Sequence, residues 1–146
     1  MVPPPAHGED GFTLIELLVV ILITGILAGI ALPTFLGQQQ RAQDAEAKSN
    51  ARNLVSQVES CYSDNEDYTQ CNSASLLGFT GVPYGAGQGQ ASVSASATAT
   101  FTVTAISTSG HTFTISRTAA GGYARDCTPH GAGSCGSTPD AQGNYW

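Results

Sequence analysis

The strongest pattern in the chain is a long apolar run near its N-terminus. Residues 12–36 read FTLIELLVVILITGILAGIALPTFL, and Glu16 is the one ionisable side chain among these 25 residues. A helix of this length spans roughly 37 Å at about 1.5 Å per residue, whereas a hydrocarbon core is about 30 Å thick. The run therefore predicts a transmembrane helix. A cleavable secretory signal has a shorter apolar region of about 7–15 residues, so a retained single-pass segment is the better interpretation.

The segment after this run has the periodicity of an amphipathic helix. Over residues 38–62 the apolar positions are three or four residues apart, as on one helical face. They are Ala51, Leu54, Val55, Val58, Cys61 and Tyr62. Charged and amide residues fill the other positions of residues 38–62, and we expect them on a solvated face; the charged ones include Arg41, Asp44, Glu46, Lys48 and Arg52. The helix is thus predicted to continue over residues 37–62 and to pack its apolar face on a small sheet.

A strict period of two follows later in the chain. From Ala91 to Ala105 every second residue is apolar, and Ser or Thr fills the positions between. This alternation predicts one half-buried strand near residues 91–106. A returning strand is predicted near residues 111–118, with its apolar residues facing inward. The fold class is therefore α+β: a long N-terminal helix packed on a small antiparallel sheet, with residues 63–146 forming a globular head.

Composition and charge limit the function classes. The 146 residues are enough for one domain, and 11 acidic against 5 basic residues give a net charge of -6. So acidic a chain has no basic footprint, and we expect no nucleic-acid site. The run Gly85–Gly89 lacks the Gly-Lys-Ser/Thr that completes a phosphate-binding loop, and it is interpreted as a surface connection.

The four cysteines indicate an oxidising compartment. Cys61 and Cys71 form one close pair and Cys127 and Cys135 another, without the CxxC spacing of a zinc site. Local pairing closes two short loops, and a bridge from Cys61 to the C-terminal pair is the main rival. Lys and Arg occur only on the C-terminal side of the apolar run, which by the positive-inside rule favours a cytoplasmic head. We give the cysteines more weight than the positive-inside rule and therefore expect the head in an oxidising compartment outside the cytoplasm.

Candidate catalytic and metal-binding groups are sparse. His7, His111 and His130 are far apart and lack the HExxH spacing, and His111 is interpreted as a surface residue. The acidic residues that could bind calcium lack the ordered spacing of a calcium loop. They are Asp64, Glu66 and Asp67 in one segment, and Asp126 and Asp140 in another. We therefore expect no enzyme activity, no metal site and no cofactor.

The start of the apolar run resembles a processing site. Residues 11–16, GFTLIE, are similar to the prepilin signature shared by type IV pilins and type II secretion pseudopilins. In that family a membrane peptidase cuts after the glycine and the new N-terminal residue is methylated. The resemblance implies removal of leader residues 1–11, cleavage between Gly11 and Phe12, and N-methylation of Phe12. The leader departs from the family pattern because it has no Lys or Arg.

The resemblance also gives Glu16 a role in assembly. A carboxylate inside an apolar span costs on the order of 2.5–3.5 kcal/mol, so it needs a partner, and the run offers no Lys or Arg. Cleavage would create an ammonium group on Phe12, which the family pairs with the glutamate of a neighbouring subunit. Thr13 and Glu16 also fit a helix-capping box, and both roles can hold together.

Small residues interrupt the helix further on. Gly25 and Pro33 match the usual glycine and proline of pilin stems, and the resemblance extends over about residues 11–51. Gly25 and Gly29 have the spacing that permits close approach of membrane helices, and Pro33 should bend the helix near Gly29. The resemblance implies that this segment gives a filament flexibility.

The resemblance implies the structural subunit of an extracellular type IV pilus that serves adhesion, motility or DNA uptake. Its partners would be further copies in a helical filament, the prepilin peptidase/methyltransferase and the inner-membrane assembly platform. The precursor would be a single-pass protein of the inner membrane, and the mature subunit would lie in the surface pilus. A pseudopilin of a secretion or competence system is one alternative, and a membrane-anchored binding module is another.

Overall fold

The computed structural model describes residues 11–77 and 81–146. The predicted leader up to residue 10, with His7, lies outside the described residues. The chain divides into two units, residues 1–36 and residues 37–146. The secondary structure comprises α1 (Leu14–Asn65), a 3-10 helix (Tyr68–Cys71), α2 (Ala74–Leu77), β1 (Ala91–Ala97), β2 (Thr100–Ile106), β3 (Thr112–Arg117) and β4 (Tyr123–Thr128).

The described part of the first unit consists of a short lead-in and the beginning of α1. The helix starts at Leu14, directly after Thr13, which is a favoured N-cap residue. Gly25, Gly29 and Pro33 all lie within the bounds of α1, so the helix is not interrupted at these residues. Every described side chain of this unit is exposed.

In the second unit α1 packs through the predicted apolar face. Ala51, Leu54 and Val58 are completely buried, and Val55 packs at the edge of the same core. The spacing of three and four residues places them on one helical face, which confirms that part of the pattern. The helix ends at Asn65, three residues after the predicted end.

The sheet is antiparallel with the strand order β1-β2-β3-β4. Its register places Val93, Val103, Ile115 and Arg125 in one row across the four strands. The apolar members of this row are buried, and so are Phe101, Ala105 and Phe113 beside them. One face of the sheet thus forms a common core with α1, which confirms the predicted α+β class.

The single long strand predicted from the period-two pattern is wrong. A turn at Thr98 and Ala99 divides it into β1 and β2, which pair with each other. Partners such as Ala91–Ala105 and Val93–Val103 are both odd-numbered, so the alternation continues across the turn and hides it. A straight strand of 15 residues would also extend about 50 Å, with no core along most of that length.

The strand β4 was not predicted at all. Its sequence, YARDCT, has only Cys127 buried, and Arg125 occupies the position where the other strands carry a buried aliphatic residue. The usual alternation of apolar and polar residues is therefore absent. The C-terminal residues lie along this strand, because the Tyr145 N–H donates to the Arg125 carbonyl and the Trp146 indole donates to the Asp126 carbonyl.

Candidate functional site

The apolar part of α1 has no cover within its own unit. Its large side chains are between 44% (Val19) and 86% (Phe12) exposed. By length and composition α1 is able to cross a membrane, and no residue of its apolar window is buried. Burying a large aliphatic side chain is worth about 1.5–3 kcal/mol, so this surface strongly favours lipid or other helices as its surroundings.

Glu16 lies at the first turn of this helix and is bonded to Thr13. The Thr13 N–H and hydroxyl donate to Glu16 Oε2 at 2.9 and 2.8 Å, and the Glu16 N–H donates to Thr13 Oγ1 at 3.3 Å. This is the reciprocal geometry of a capping box. Within the described residues Oε1 has no donor, so the carboxylate retains an oxygen for a second partner.

The glycines of the apolar segment are not required by contacts within the chain. A Cβ atom added at Gly25 or Gly29 would meet nothing within 4 Å. Glycine in a helix interior costs about 1 kcal/mol relative to alanine. These two residues therefore weaken the isolated helix without any compensating contact in it.

In the second unit, Asp44 of α1 contradicts the predicted solvated face. It is completely buried, and it accepts hydrogen bonds from Ser109 Oγ at 2.6 Å and from the Ser134 N–H at 2.9 Å. His111 Nδ1 lies 2.9 Å from its carboxylate, and only 13% of the His111 side chain is exposed. The interpretation of His111 as a surface residue is therefore wrong as well.

The hydrogen bonds around Asp44 determine its charge. Burial alone would raise the pKa of this carboxyl, but the bonds from Ser109, His111 and Ser134 outweigh burial and lower the pKa to about 2. Gly133 leaves room for this arrangement, because a Cβ there would lie 2.3 Å from Asp44 Oδ2. Sequence reasoning missed the site because the charge of Asp44 assigned it to solvent, although the three-four spacing continues from Ala51 through Ala47 to Asp44 and places it on the buried face.

Lys48, one turn after Asp44 on α1, is also partly buried, although it was predicted on the solvated face. Its ammonium group donates to the Ser134 carbonyl at 2.7 Å and lies 5.0 Å from the centre of the Phe113 ring. Burial lowers its pKa. Asp44 and Lys48 therefore bind opposite polar groups of the same residue, Ser134, and hold the C-terminal loop on α1.

A second polar cluster surrounds Glu59 of α1. Its carboxylate accepts from Tyr68 Oη at 2.9 Å and from Arg117 at 3.1 Å, and it accepts a further short bond from Tyr123 Oη. Burial and the bond to Glu59 raise the pKa of Tyr68 and of Tyr123. The cluster links α1 to the 3-10 helix through Tyr68 and to the turn end of the β3-β4 hairpin, where Arg117 and Tyr123 are paired.

Two disulfides close the local loops. Cys61 at the end of α1 is bonded to Cys71, and Cys127 of β4 is bonded to Cys135. All four cysteines are therefore paired locally, and none of the described cysteines is free. The rival pairing, a disulfide from Cys61 to Cys127 or Cys135, does not occur.

The acidic residues considered for calcium have other partners or stand apart. Asp67 caps the 3-10 helix by accepting from the Thr69 N–H at 2.8 Å. Asp126 lies 2.8 Å from His130, and Asp140 accepts from the Asn144 N–H. In residues 11–77 and 81–146 no three potential ligands converge on one point.

Comparison with known families supports the processing signature. Residues 7–32 match the family model described as the prokaryotic N-terminal methylation motif. This range contains Gly11, Phe12 and Glu16, together with Gly25 and Gly29 of the exposed helix. The match covers a small part of the chain and does not include the head.

Comparison with individual proteins extends further. The chain is 44% identical over 69 residues to the type IV major pilin protein PilA of Myxococcus xanthus. It is 39% identical over 71 residues to the type IV wide pilus major component PilA4 of Thermus thermophilus, and 40% identical over 60 residues to the type II secretion system core protein G of Dickeya chrysanthemi. These alignments cover 47%, 49% and 41% of this chain, and 30%, 53% and 39% of the respective relatives.

The structure combines an apolar N-terminal helix, able by length and composition to cross a membrane, with a small α+β head. With the methylation motif near its N-terminus, the chain is similar to type IV pilins and to a type II secretion core protein, and it is most like the major pilins. The chain spans about half the length of the curated relatives it matches, or less.

Proposed function

We propose that this protein is the structural subunit of a type IV pilus. Peptidase cleavage after Gly11 releases residues 1–11, and the new N-terminal Phe12 is methylated. The precursor resides in the inner membrane as a single-pass protein, and an assembly platform there stacks the mature subunits into a surface filament. Adhesion, motility and DNA uptake are the tasks of such a filament.

The uncovered apolar surface of α1 carries this proposal. Residues such as Leu14, Ile15 and Phe35 are at least 67% exposed, so this helix needs an apolar environment. Lipid provides that environment before assembly, and neighbouring subunits provide it in the filament. Packing the same helices against one another in a filament core replaces lipid contacts with protein contacts. The proposed function is therefore structural.

Glu16 supports the proposal through its unused oxygen. Oε2 caps its own helix through Thr13, while Oε1 has no donor among the described residues. After cleavage, the ammonium group of Phe12 from a neighbouring copy supplies such a donor. One carboxylate then serves both the capping of its own helix and the contact between subunits.

Mass spectrometry of the N-terminal peptide tests the processing step. We expect the mature chain to begin at Phe12 and to be heavier by one methyl group. A mature protein that retains Met1–Gly11 would contradict the proposal and favour a membrane-anchored binding module.

Two substitutions at the capping box separate assembly from helix capping. Glu16→Gln keeps an oxygen that accepts from Thr13 but removes the charge, so we expect normal membrane insertion and few or no fibres. Thr13→Ala removes the capping hydroxyl but keeps the charge, so we expect fibres at near wild-type yield. Normal fibres from Glu16→Gln would contradict the role of the charge.

A pseudopilin is the second candidate, because one relative is a core protein of a type II secretion system. Such a subunit would share the N-terminal processing and packing. Electron microscopy of cells that express the chain at its natural level distinguishes the two: long surface fibres support the pilus subunit, and secretion defects without fibres support the pseudopilin.

A further inference from the structure

The sheet of the head extends past the helix that covers it. β2 and β3 bury alternate residues against α1, whereas β4 buries only Cys127. The strip of sheet beyond α1 forms an open groove together with the flank of the helix. Its lining residues are Arg52, Val55, Ile115, Tyr123 and Arg125.

Two guanidinium groups give this groove a positive charge. Arg52 and Arg125 lie 5.3 and 5.8 Å from the centre of the same Trp146 ring. Among the described residues neither has a carboxylate oxygen within 4 Å, because the ion pairs are His111–Asp44, Arg117–Glu59 and His130–Asp126. The pKa of Asp140 is lowered chiefly by the hydrogen bond from the Asn144 N–H and only to a lesser extent by the charge of Arg125, which makes no ion pair with it.

Negative charge without a partner lies at another corner of the head. Asp64 is in the last turn of α1 and Glu66 follows it, and both side chains are exposed. Their carboxylates make no hydrogen bond or ion pair within the described part of the chain. Glu46 is likewise exposed, but it stands alone.

We propose that the groove formed by Arg52, Val55, Ile115, Tyr123 and Arg125 binds the acidic helix end, Asp64 and Glu66, of a second copy of this chain. The inference rests on the proposed filament. It adds a contact between heads to the packing of N-terminal helices. The two surfaces are complementary in charge: the groove has two guanidinium groups without an ion pair, and the helix end has two carboxylates without one.

The groove and the acidic helix end are positioned so that the same contact can repeat from one subunit to the next. Arg52 and Asp64 are twelve residues apart on one helix, which corresponds to about 18 Å along its axis and about 120° around it. A contact between different patches that point in different directions is heterologous, and heterologous contacts that do not close generate helical filaments. A subunit therefore receives one neighbour in its groove and inserts its own helix end into another.

The contact also reduces the repulsion between heads. The chain has a net charge of -6, so copies packed side by side repel one another. Opposite charges at a defined contact offset that repulsion and fix the orientation of each head. The apolar floor of Val55 and Ile115 strengthens the contact because it excludes water around the ion pairs.

Charge reversal in the full-length chain tests the inference. Arg52→Glu with Arg125→Glu, or Asp64→Lys with Glu66→Lys, should lower the yield of sheared fibres about tenfold or more, since like charges then meet. The chain with all four substitutions restores opposite charges and should regain most of the yield. Arg41→Glu and Glu46→Lys are matched controls on exposed positions of the same helix and should leave the yield unchanged.

The outcomes separate this inference from the proposed function. If the wild-type chain forms no fibres, the proposed function fails first. If it forms fibres and both reversed variants match it in yield and in resistance to high salt, the contact between heads is wrong and the filament stands. If the groove variant loses fibres and the fourfold variant does not recover them, the acidic helix end is not the occupant. Wild-type fibres that retain single-stranded DNA, with Arg52→Glu, Arg125→Glu fibres that do not, would instead assign the groove to nucleic acid.

Discussion

The buried Asp44 on α1 pairs with His111 directly before β3, and its carboxylate lies 2.9 Å from His111 Nδ1. The same carboxylate accepts from Ser109 in the turn before β3 and from the Ser134 N–H in the loop closed by Cys127 and Cys135. One helical side chain thus connects the sheet turn and the C-terminal loop, which are more than sixty residues away in sequence.

Replacing Asp44 by Asn should destabilise the head. The substitution keeps the size of the side chain but removes the charge that three donors bind, and hydrogen bonds to a charged group are worth about 1.5–3 kcal/mol each. We expect the free energy of unfolding to fall by about 2–4 kcal/mol in urea titrations of the full chain in detergent. Glu46→Gln, an exposed neutralisation two residues away, is the control and should change it by less than about 0.5 kcal/mol.

The same pair predicts how stability depends on acid. A pKa lowered from the ordinary 3.8 to about 2 means that ionised Asp44 stabilises the folded head above pH 4, and that this stabilisation is lost as the pH falls towards 2. The shift corresponds to about 2 kcal/mol. Unfolding measured between pH 5 and pH 2 should show this loss in the wild-type chain. The profile of Asp44→Asn should be flatter by that amount, and parallel profiles would contradict the assignment.

The tyrosines next to Glu59 should ionise late. Burial, and next the hydrogen bond to Glu59, raise the pKa of Tyr68 and Tyr123, so their phenolates form at higher pH than that of an exposed tyrosine. An alkaline titration followed by near-ultraviolet absorbance should therefore show a late component among the five tyrosines. In Glu59→Gln this component should move to lower pH, and an unchanged titration would mean that Glu59 does not act on them.

Sequence reasoning succeeds where a single period dominates. The apolar run gives the N-terminal half of α1, the three-four spacing of Ala51, Leu54 and Val58 gives its packed face, and the alternation around Phe113 gives β3. Each of these signals depends only on neighbours in the sequence. The resemblance of residues 11–16 to a processing signature is equally local.

The parts that could not be predicted depend on contacts distant in sequence. The turn at Thr98 and Ala99 carries no Gly, Pro, Asn or Asp, and it preserves the alternation on both sides. The spacing of α1 places Asp44 on the buried face, but a buried carboxylate could not be expected without its distant partners Ser109, His111 and Ser134. β4 lacks alternation because the helix does not cover it, and that same lack of cover creates the groove beside Arg125.

The disulfide between Cys127 and Cys135 should stabilise the head chiefly through the unfolded state. Its sequence separation is 8, and closing a loop of this size is worth about 2–3 kcal/mol in chain entropy. Replacing both cysteines by Ser should lower the free energy of unfolding by about this amount. Under reducing conditions this variant should keep its stability better than the wild-type chain does, and an equal loss in the two would assign the effect to Cys61–Cys71.

The glycines of the exposed helix should matter to the fibre and not to the subunit. A Cβ at Gly25 or Gly29 meets nothing within 4 Å in the chain, and alanine is the better helix former by about 1 kcal/mol. Gly25→Ala with Gly29→Ala should therefore leave membrane insertion and the helical content of the subunit intact or slightly raised. If these residues let neighbouring helices approach closely, the added methyl groups must separate them, and the yield of fibres should fall. Gly37→Ala, equally open and on the same helix, is the control. Wild-type fibre yield from the double variant would show that close helix contact does not occur at Gly25 and Gly29.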